Sequence, residues 1–139
     1  MSKSWKLHHI AVIVRDIDKA VEYYQSIGIA TPGREVKFPE AKPNIRAKFV
    51  QMGSIPIEFI QPLEGESNYK EFLDSKGEGV QHIAFAVDDL DEEADKLVDK
   101  GVSIIVKGKA PAAFGSISAH FDTRQVGNFA IQLIQEEEE

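Results

Sequence analysis

The sequence predicts an α+β fold in which two βαβββ modules, eight strands in all, curl toward each other around a shared cleft. Three observations carry that expectation. The segment LHHIAVIVRDIDKAVEYYQSIGI returns in the second half as VQHIAFAVDDLDEEADKLVDKGV, and the two copies align without a gap. Inside each copy the apolar period changes from two to about 3.6, the signature of a strand running into a helix. Behind each helix come three further strand-like runs, parted for the most part by Pro or Gly.

The elements follow in order. Leu7 to Val14 and Val80 to Val87 alternate and are rich in β-branched residues, so each reads as a strand. Asp16 or Asp18 then offers an N-cap, Ile17, Val21, Tyr24 and Ile27 fall at helical spacing, and Gly28 sits where a C-terminal glycine belongs. Asp89 or Asp91, Leu90, Ala94, Leu97 and Gly101 repeat the pattern. The remaining strands are expected at Arg34 to Phe38, Ile45 to Met52 and Ile55 to Gln61, then at Val102 to Lys107, Ile117 to Asp122 and Phe129 to Gln135. Pro39, Pro43, Gly53, Pro111, Gly115 and Gly127 supply the turn signals. Between the halves, PLEGESNYKEFLDSKGEG holds a short helix capped by Ser67 and ended near Gly77.

Length and composition narrow the classes. The 139 residues make a single domain over 1–135, with modules at about 5–63 and 78–135 and an acidic tail at 136–139. Each half alone, at about 70 residues, has a marginal core, so the two are expected to share one interior. With no cysteine there is no disulfide, thiol nucleophile or Cys-bound zinc. Four of the acids behind the net charge of -7 lie in the terminal Glu136 to Glu139. There is no basic stripe with interleaved aromatics, so no nucleic-acid partner is expected. The N-terminal MSKSWK lacks an apolar h-region, and no run reaches the roughly 18 apolar residues of a spanning helix. A cytoplasmic protein with no membrane partner is the expectation.

Strand alternation then sorts the polar residues. His9 shares a face with Ala11 and Ile13, and His82 with Ala84 and Ala86, where small neighbours leave a hollow. The opposite faces carry Ile10, Val12 and Val14, and Ile83, Phe85 and Val87, to pack beneath the helices. On the last strand of each module Glu58 and Gln132 interrupt apolar runs, offset by nearly the interval that separates the histidines. A carboxylate among isoleucines is costly to bury unless something charged meets it. Two imidazoles, one carboxylate and one amide oxygen make a site for a divalent cation, with Arg46 or Lys48 as alternative partners for Glu58.

These residues resemble the vicinal oxygen chelate superfamily, the group of glyoxalases, bleomycin-resistance proteins and extradiol dioxygenases, and within it most closely the methylmalonyl-CoA epimerases. Besides the first strand and helix, IEFIQPLEGESNYKEFLDSKGEGVQHIAFAVDDLDEEADKLVDKGV and the terminal GNFAIQLIQ carry the likeness, which covers nearly the whole chain. The resemblance implies a U-shaped, eight-stranded cleft and one divalent metal ion (Co, Ni, Mn, Fe or Zn) held by a residue from each of four strands. Carried onto this sequence those ligands are His9, Glu58, His82 and Gln132. Relatives usually present glutamate on the final strand, where Gln132 stands here. An amide oxygen can ligate a cation but cannot take a proton at neutral pH.

Glu58 is therefore the expected base and His120, on the seventh strand, a candidate acid or base. The resemblance implies removal of an α-proton next to a carbonyl, through an enediolate, in a small-molecule substrate for which a CoA thioester is one candidate, by a homodimer. A glyoxalase I-like lyase, a metal-dependent dioxygenase and a non-catalytic small-molecule binder are the alternatives. Arg34, Lys37, Lys42, Arg46 and Lys48 can meet the phosphates of a CoA-like ligand or form solvated surface. Tyr69 and Phe72 share one face of the connecting helix and read as core packing. His8 points away from His9. The KGKAPAAFG loop, with Phe114 and Gly115, can close over a ligand or be an ordinary connection.

Overall fold

The computed structural model describes residues 5–36, 44–109 and 117–135. Its elements are β1 (Lys6–Ile13), α1 (Ile17–Ser26), β2 (Ala30–Val36), β3 (Ile45–Met52), β4 (Ile55–Pro62), α2 (Asn68–Lys76), β5 (Gly79–Ala86), α3 (Leu90–Asp99), β6 (Ile104–Lys109), β7 (Ile117–Phe121) and β8 (Ala130–Gln135). They form an eight-stranded mixed sheet with three helices, ordered β2-β3-β4-β1 in the first half and β5-β8-β7-β6 in the second. The order is that of the predicted duplicated βαβββ unit, with a parallel pair, β1 with β4 and β5 with β8, in each half. No helix of the described residues is long and apolar enough to cross a membrane.

Two compact units divide the chain, one made of residues 9–81 and the other of the described residues up to His8 together with those from His82 on. Trp5 to His8 thus belong to the second unit. Trp5 donates its Nε1–H to Glu93 of α3 at 2.8 Å and stacks at a tilt on Phe85, 5.4 Å between ring centroids.

Each unit repeats the same core chemistry. In the first, Ile17 of α1 meets Val14, Val50, Ile57 and Phe59, with Ile10, Val12, Val21 and Tyr24 around them. In the second, Leu90 of α3 meets Val87, Ala119, Phe121 and Leu133, with Phe85 and Leu97 around them. The predicted assignment of Ile10, Val12 and Phe85 to the helix side is what the packing shows.

The helix starts are repeated to the atom. Asp16 and Asp89, rather than Asp18 and Asp91, are the N-caps, accepting from Lys19 N and Glu92 N at 3.1 Å each. The first helical N–H is met from the last strand of the same unit: Ile17 N donates to Gln61 Oε1 at 3.0 Å, and Leu90 N to Gln135 Oε1 at 2.8 Å. These two bonds satisfy donors that a helix cannot pair internally. Gly28 and Gly101 follow the helices at φ 77 and 92, a region closed to most side chains.

Two strands depart from expectation. β2 begins at Ala30, not Arg34, and takes in Pro32 because it is the edge of the sheet, where a missing N–H leaves no ladder bond unmade. Its predicted end at Phe38 lies outside the described residues. β6 starts at Ile104 rather than Val102, whose side chain is drawn into the core under α3. Both edge strands are irregular at matching places, between Pro32 and Glu35 and between Ile104 and Val106.

Candidate metal centre

Parallel pairing places the polar intruders. Ala11 of β1 lies opposite Glu58 of β4, and Ala84 of β5 opposite Gln132 of β8. On the far side, Phe49 of β3 pairs with Glu58 and His120 of β7 with Gln132. Residues in register share a face, so each unit presents a row that carries a histidine, a small residue, Glu58 or Gln132, and a ring. His9, Glu58, His82 and Gln132 are all buried, at 0%, 4%, 2% and 3% exposure. Polar groups so deep demand partners, and those partners define what the site can hold.

In the first unit His9 Nε2 stands 3.2 Å from Glu58 Oε1. The Phe49 ring meets His9 edge-on, 5.3 Å between centroids at 88°, and holds the imidazole on this face. In the second unit His120 takes the place of Phe49, meeting His82 edge-on at 4.9 Å and 88°. His9, Glu58 and His82 together group as a possible metal site, their ligand atoms all within 4.8 Å of one another. The Oε1 atom of Gln132 is buried without a hydrogen-bond partner among the described residues. Two neutral-capable imidazoles, a carboxylate and an unsatisfied amide oxygen suit a borderline divalent ion, so the residues present fit the metal that the sequence implies.

Other candidates fall elsewhere. Arg46 and Lys48 alternate with Phe49 and so point to the helix side, where both bind Asp18 of α1: Arg46 through Nη1 at 3.2 Å and Nη2 at 3.3 Å, Lys48 through Nζ at 2.8 Å. The alternative pairing of either with Glu58 is corrected by this alternation. The two cations hold the Asp18 carboxyl at about 2, below its usual range. Lys107 makes the matching contact in the second unit, with Asp91 at 2.7 Å. A phosphate-binding role for Arg46 and Lys48 finds no support in this placement. The side chain of Arg34, together with Lys37, Lys42, Phe114 and Gly115, lies outside the described residues.

Phe72 is buried as expected, but Tyr69 is only half-buried. Burial of its phenol, and then the charge of Glu58, raise its pKa. His8 is half-buried on the face opposite His9.

Sequence reasoning missed Phe49 and the clamps Gln61 and Gln135. The repeat held the signal for the clamps: EFIQ and QLIQ place an identical glutamine three residues after Glu58 and after Gln132.

Comparison with known proteins agrees with this architecture. Residues 8–121 match the family model of the glyoxalase/bleomycin resistance protein/dioxygenase superfamily. The uncharacterized protein YqjC of Bacillus subtilis is 32% identical over 131 residues, 94% of this chain and 91% of that protein. The mitochondrial methylmalonyl-CoA epimerase of Bos taurus is 28% identical over 131 residues, 94% of this chain and 74% of that protein. A variant of the Streptomyces coelicolor methylmalonyl-CoA epimerase, in complex with 2-nitronate-propionyl-CoA, superposes with a TM-score of 0.81 at 22% identity, covering 98% of this chain and 100% of that one.

Proposed function

The chain belongs to the glyoxalase/bleomycin resistance protein/dioxygenase superfamily, and from that membership we propose that it is a metal-dependent epimerase acting on a CoA thioester, with methylmalonyl-CoA as substrate. The observation that carries this reading is the buried group of His9, Glu58 and His82, with the orphaned oxygen of Gln132 on the row that answers Glu58. In the proposal these four side chains hold one divalent ion. When bound, that ion supplies Lewis-acid stabilisation of the negative charge that grows on a carbonyl oxygen as a neighbouring proton leaves. Relatives named as methylmalonyl-CoA epimerases support the substrate.

The chain's own residues then divide the proton work. Glu58 takes the α-proton into its carboxylate as the C–H bond breaks and its electron pair moves onto the carbonyl. Gln132 cannot do this, because an amide has no basicity at neutral pH. Epimerisation needs the proton returned by a different group from the one that removed it, and His120, ring to ring with His82, is the proposed donor. Phe49, Ala11 and Ile60 surround Glu58 with apolar surface that excludes water from it.

The test is α-proton exchange of methylmalonyl-CoA in D2O, followed by mass, alongside metal content of protein purified without chelator. Exchange that tracks stoichiometric metal and stops on chelation is the expected result. Oxygen consumption with no exchange would replace this reading by a dioxygenase, and tight ligand binding with neither would make it a sequestering protein.

A further inference from the structure

The alignment of the two halves exposes a buried charge that only one of them carries. Glu93 of α3 stands where α1 has Ala20, and the same alignment, extended two residues upstream, sets Trp5 against Glu78. Glu93 is 8% exposed, in a helix whose other buried residues are Leu90 and Ala94. A carboxylate at that depth costs stability unless its oxygens are met. Both are: Oε1 accepts from Trp5 Nε1 at 2.8 Å, and Oε2 accepts from Lys96 Nζ at 3.2 Å. Ala20, packed against the core of the first unit, shows that this place on the helix can be filled without a charge. What Glu93 adds is a hold on Trp5.

Trp5 is held a second time by packing, since its ring lies on Phe85 and against the core around Leu90 and Leu133. The anchor is upstream of a functional side chain. Four residues further on comes His9, and the chain passes from the second unit to the first between His8 and His9. The parallel register of β1 on β4 begins at the next residue, Ile10 with Ile57. His9 therefore sits between the anchor at Trp5 and the ladder that starts at Ile10. An N-terminal segment that is not tied down frays, and fraying of β1 as far as His9 would carry the imidazole away from Glu58 Oε1, 3.2 Å from its Nε2.

We propose that Trp5 is a positioning residue for the metal centre: its bond to Glu93 pins the start of β1, so that His9 is in place before an ion arrives. This rests on the reading of His9 as a metal ligand and adds to it a pair that touches neither ion nor substrate. Preorganisation of this kind acts on affinity through the fraction of time that the site is formed. The coupling is reciprocal, so an ion on His9 tightens the hold on Trp5.

The experiment is calorimetric titration of the metal-stripped chain with Zn²⁺ for wild type, Trp5→Phe, Glu93→Ala and Glu93→Gln, with acrylamide quenching of Trp5, the sole tryptophan, before and after the metal. Trp5→Phe keeps a ring on Phe85 but removes the donor, and Glu93→Gln keeps an acceptor oxygen. Trp5→Phe and Glu93→Ala should bind Zn²⁺ about tenfold more weakly, as for a site formed about one tenth of the time. Glu93→Gln should stay near wild type, and in Glu93→Ala the added Zn²⁺ should shield Trp5 from acrylamide. Folded Trp5→Phe and Glu93→Ala proteins with wild-type affinity would overturn the proposal, as would Glu93→Gln as weak as Glu93→Ala, or quenching in Glu93→Ala that ignores the metal. A purely structural role would lower stability to urea and leave Zn²⁺ affinity and its effect on quenching untouched. Wild type that binds no Zn²⁺ would sink the metal reading itself, and this role with it.

Discussion

The first unit sets a carboxylate beside a phenyl ring, and the second sets an amide beside an imidazole. Glu58 lies in register with Phe49 and Ala11, next to the row of Ala47, Ile60 and Ile13; Gln132 lies in register with His120 and Ala84, next to Ser118, Ile134 and Ala86. The backbones are the same, down to Val14 N donating to Ile60 O and Val87 N to Ile134 O, both at 2.9 Å. The connections differ: β3 turns into β4 through Gly53 and Ser54 alone, whereas β7 and β8 are joined by residues 122–129, braced by Thr123 Oγ1 on Phe129 O at 2.9 Å. A duplicated frame can hold equivalent positions in register while letting their chemistry diverge. The pairing geometry belongs to the backbone, and the reactivity to a few side chains.

The largest expected effect comes from erasing the inequality of Glu58 and Gln132. Glu58→Gln makes the halves alike in having no base, and α-proton exchange should fall by about 10²- to 10⁴-fold, the usual range for a lost general base. Adding Gln132→Glu to that variant moves the carboxylate to the equivalent place in the second unit. Metal binding should then match wild type, and part of the exchange should return. An Glu58→Gln protein with undiminished exchange would end the assignment of Glu58 as base.

His120→Phe comes next, because it gives the second unit the ring the first already carries at Phe49. Exchange of the α-proton should persist while inversion of the centre slows about 10²-fold, so the ratio of exchange to epimerisation is the quantity to measure. If both rates fell together, His120 would be serving the site's structure rather than returning the proton.

The smallest effect probes where the halves do not differ. Gln61→Ala and Gln135→Ala each remove the acceptor for one helical N–H at the start of α1 or α3. Each should cost about 1 kcal/mol in urea unfolding, and by similar amounts. A much larger loss at one of them would show that the two frames are less alike than their hydrogen bonds.

Much of this molecule is legible in the sequence because repetition is itself a structural signal. The strand-to-helix switch after Val14 and after Val87, and the shared face of His9 with Ala11 and of His82 with Ala84, follow from periodicity. Glu58 stood out because a carboxylate within IPIEFIQPL must meet something. The start of β2 was not legible, since Pro32 argues against a strand until the strand is known to be an edge. Nor was the side taken by Arg46 and Lys48, which depends on the register of β3 against β4.

The sequence by itself determined the duplicated βαβββ plan, the places of the helices and the unequal pair of Glu58 and Gln132. These are local or periodic properties, set by side-chain alternation, capping chemistry and the alignment of one half with the other. Only the tertiary structure decided that Phe49 and His120 occupy equivalent places against His9 and His82, and that Gln61 and Gln135 close the helix ends. Those relations join residues far apart in the chain, and the cross-strand register that makes them neighbours is settled by the packing of the whole sheet.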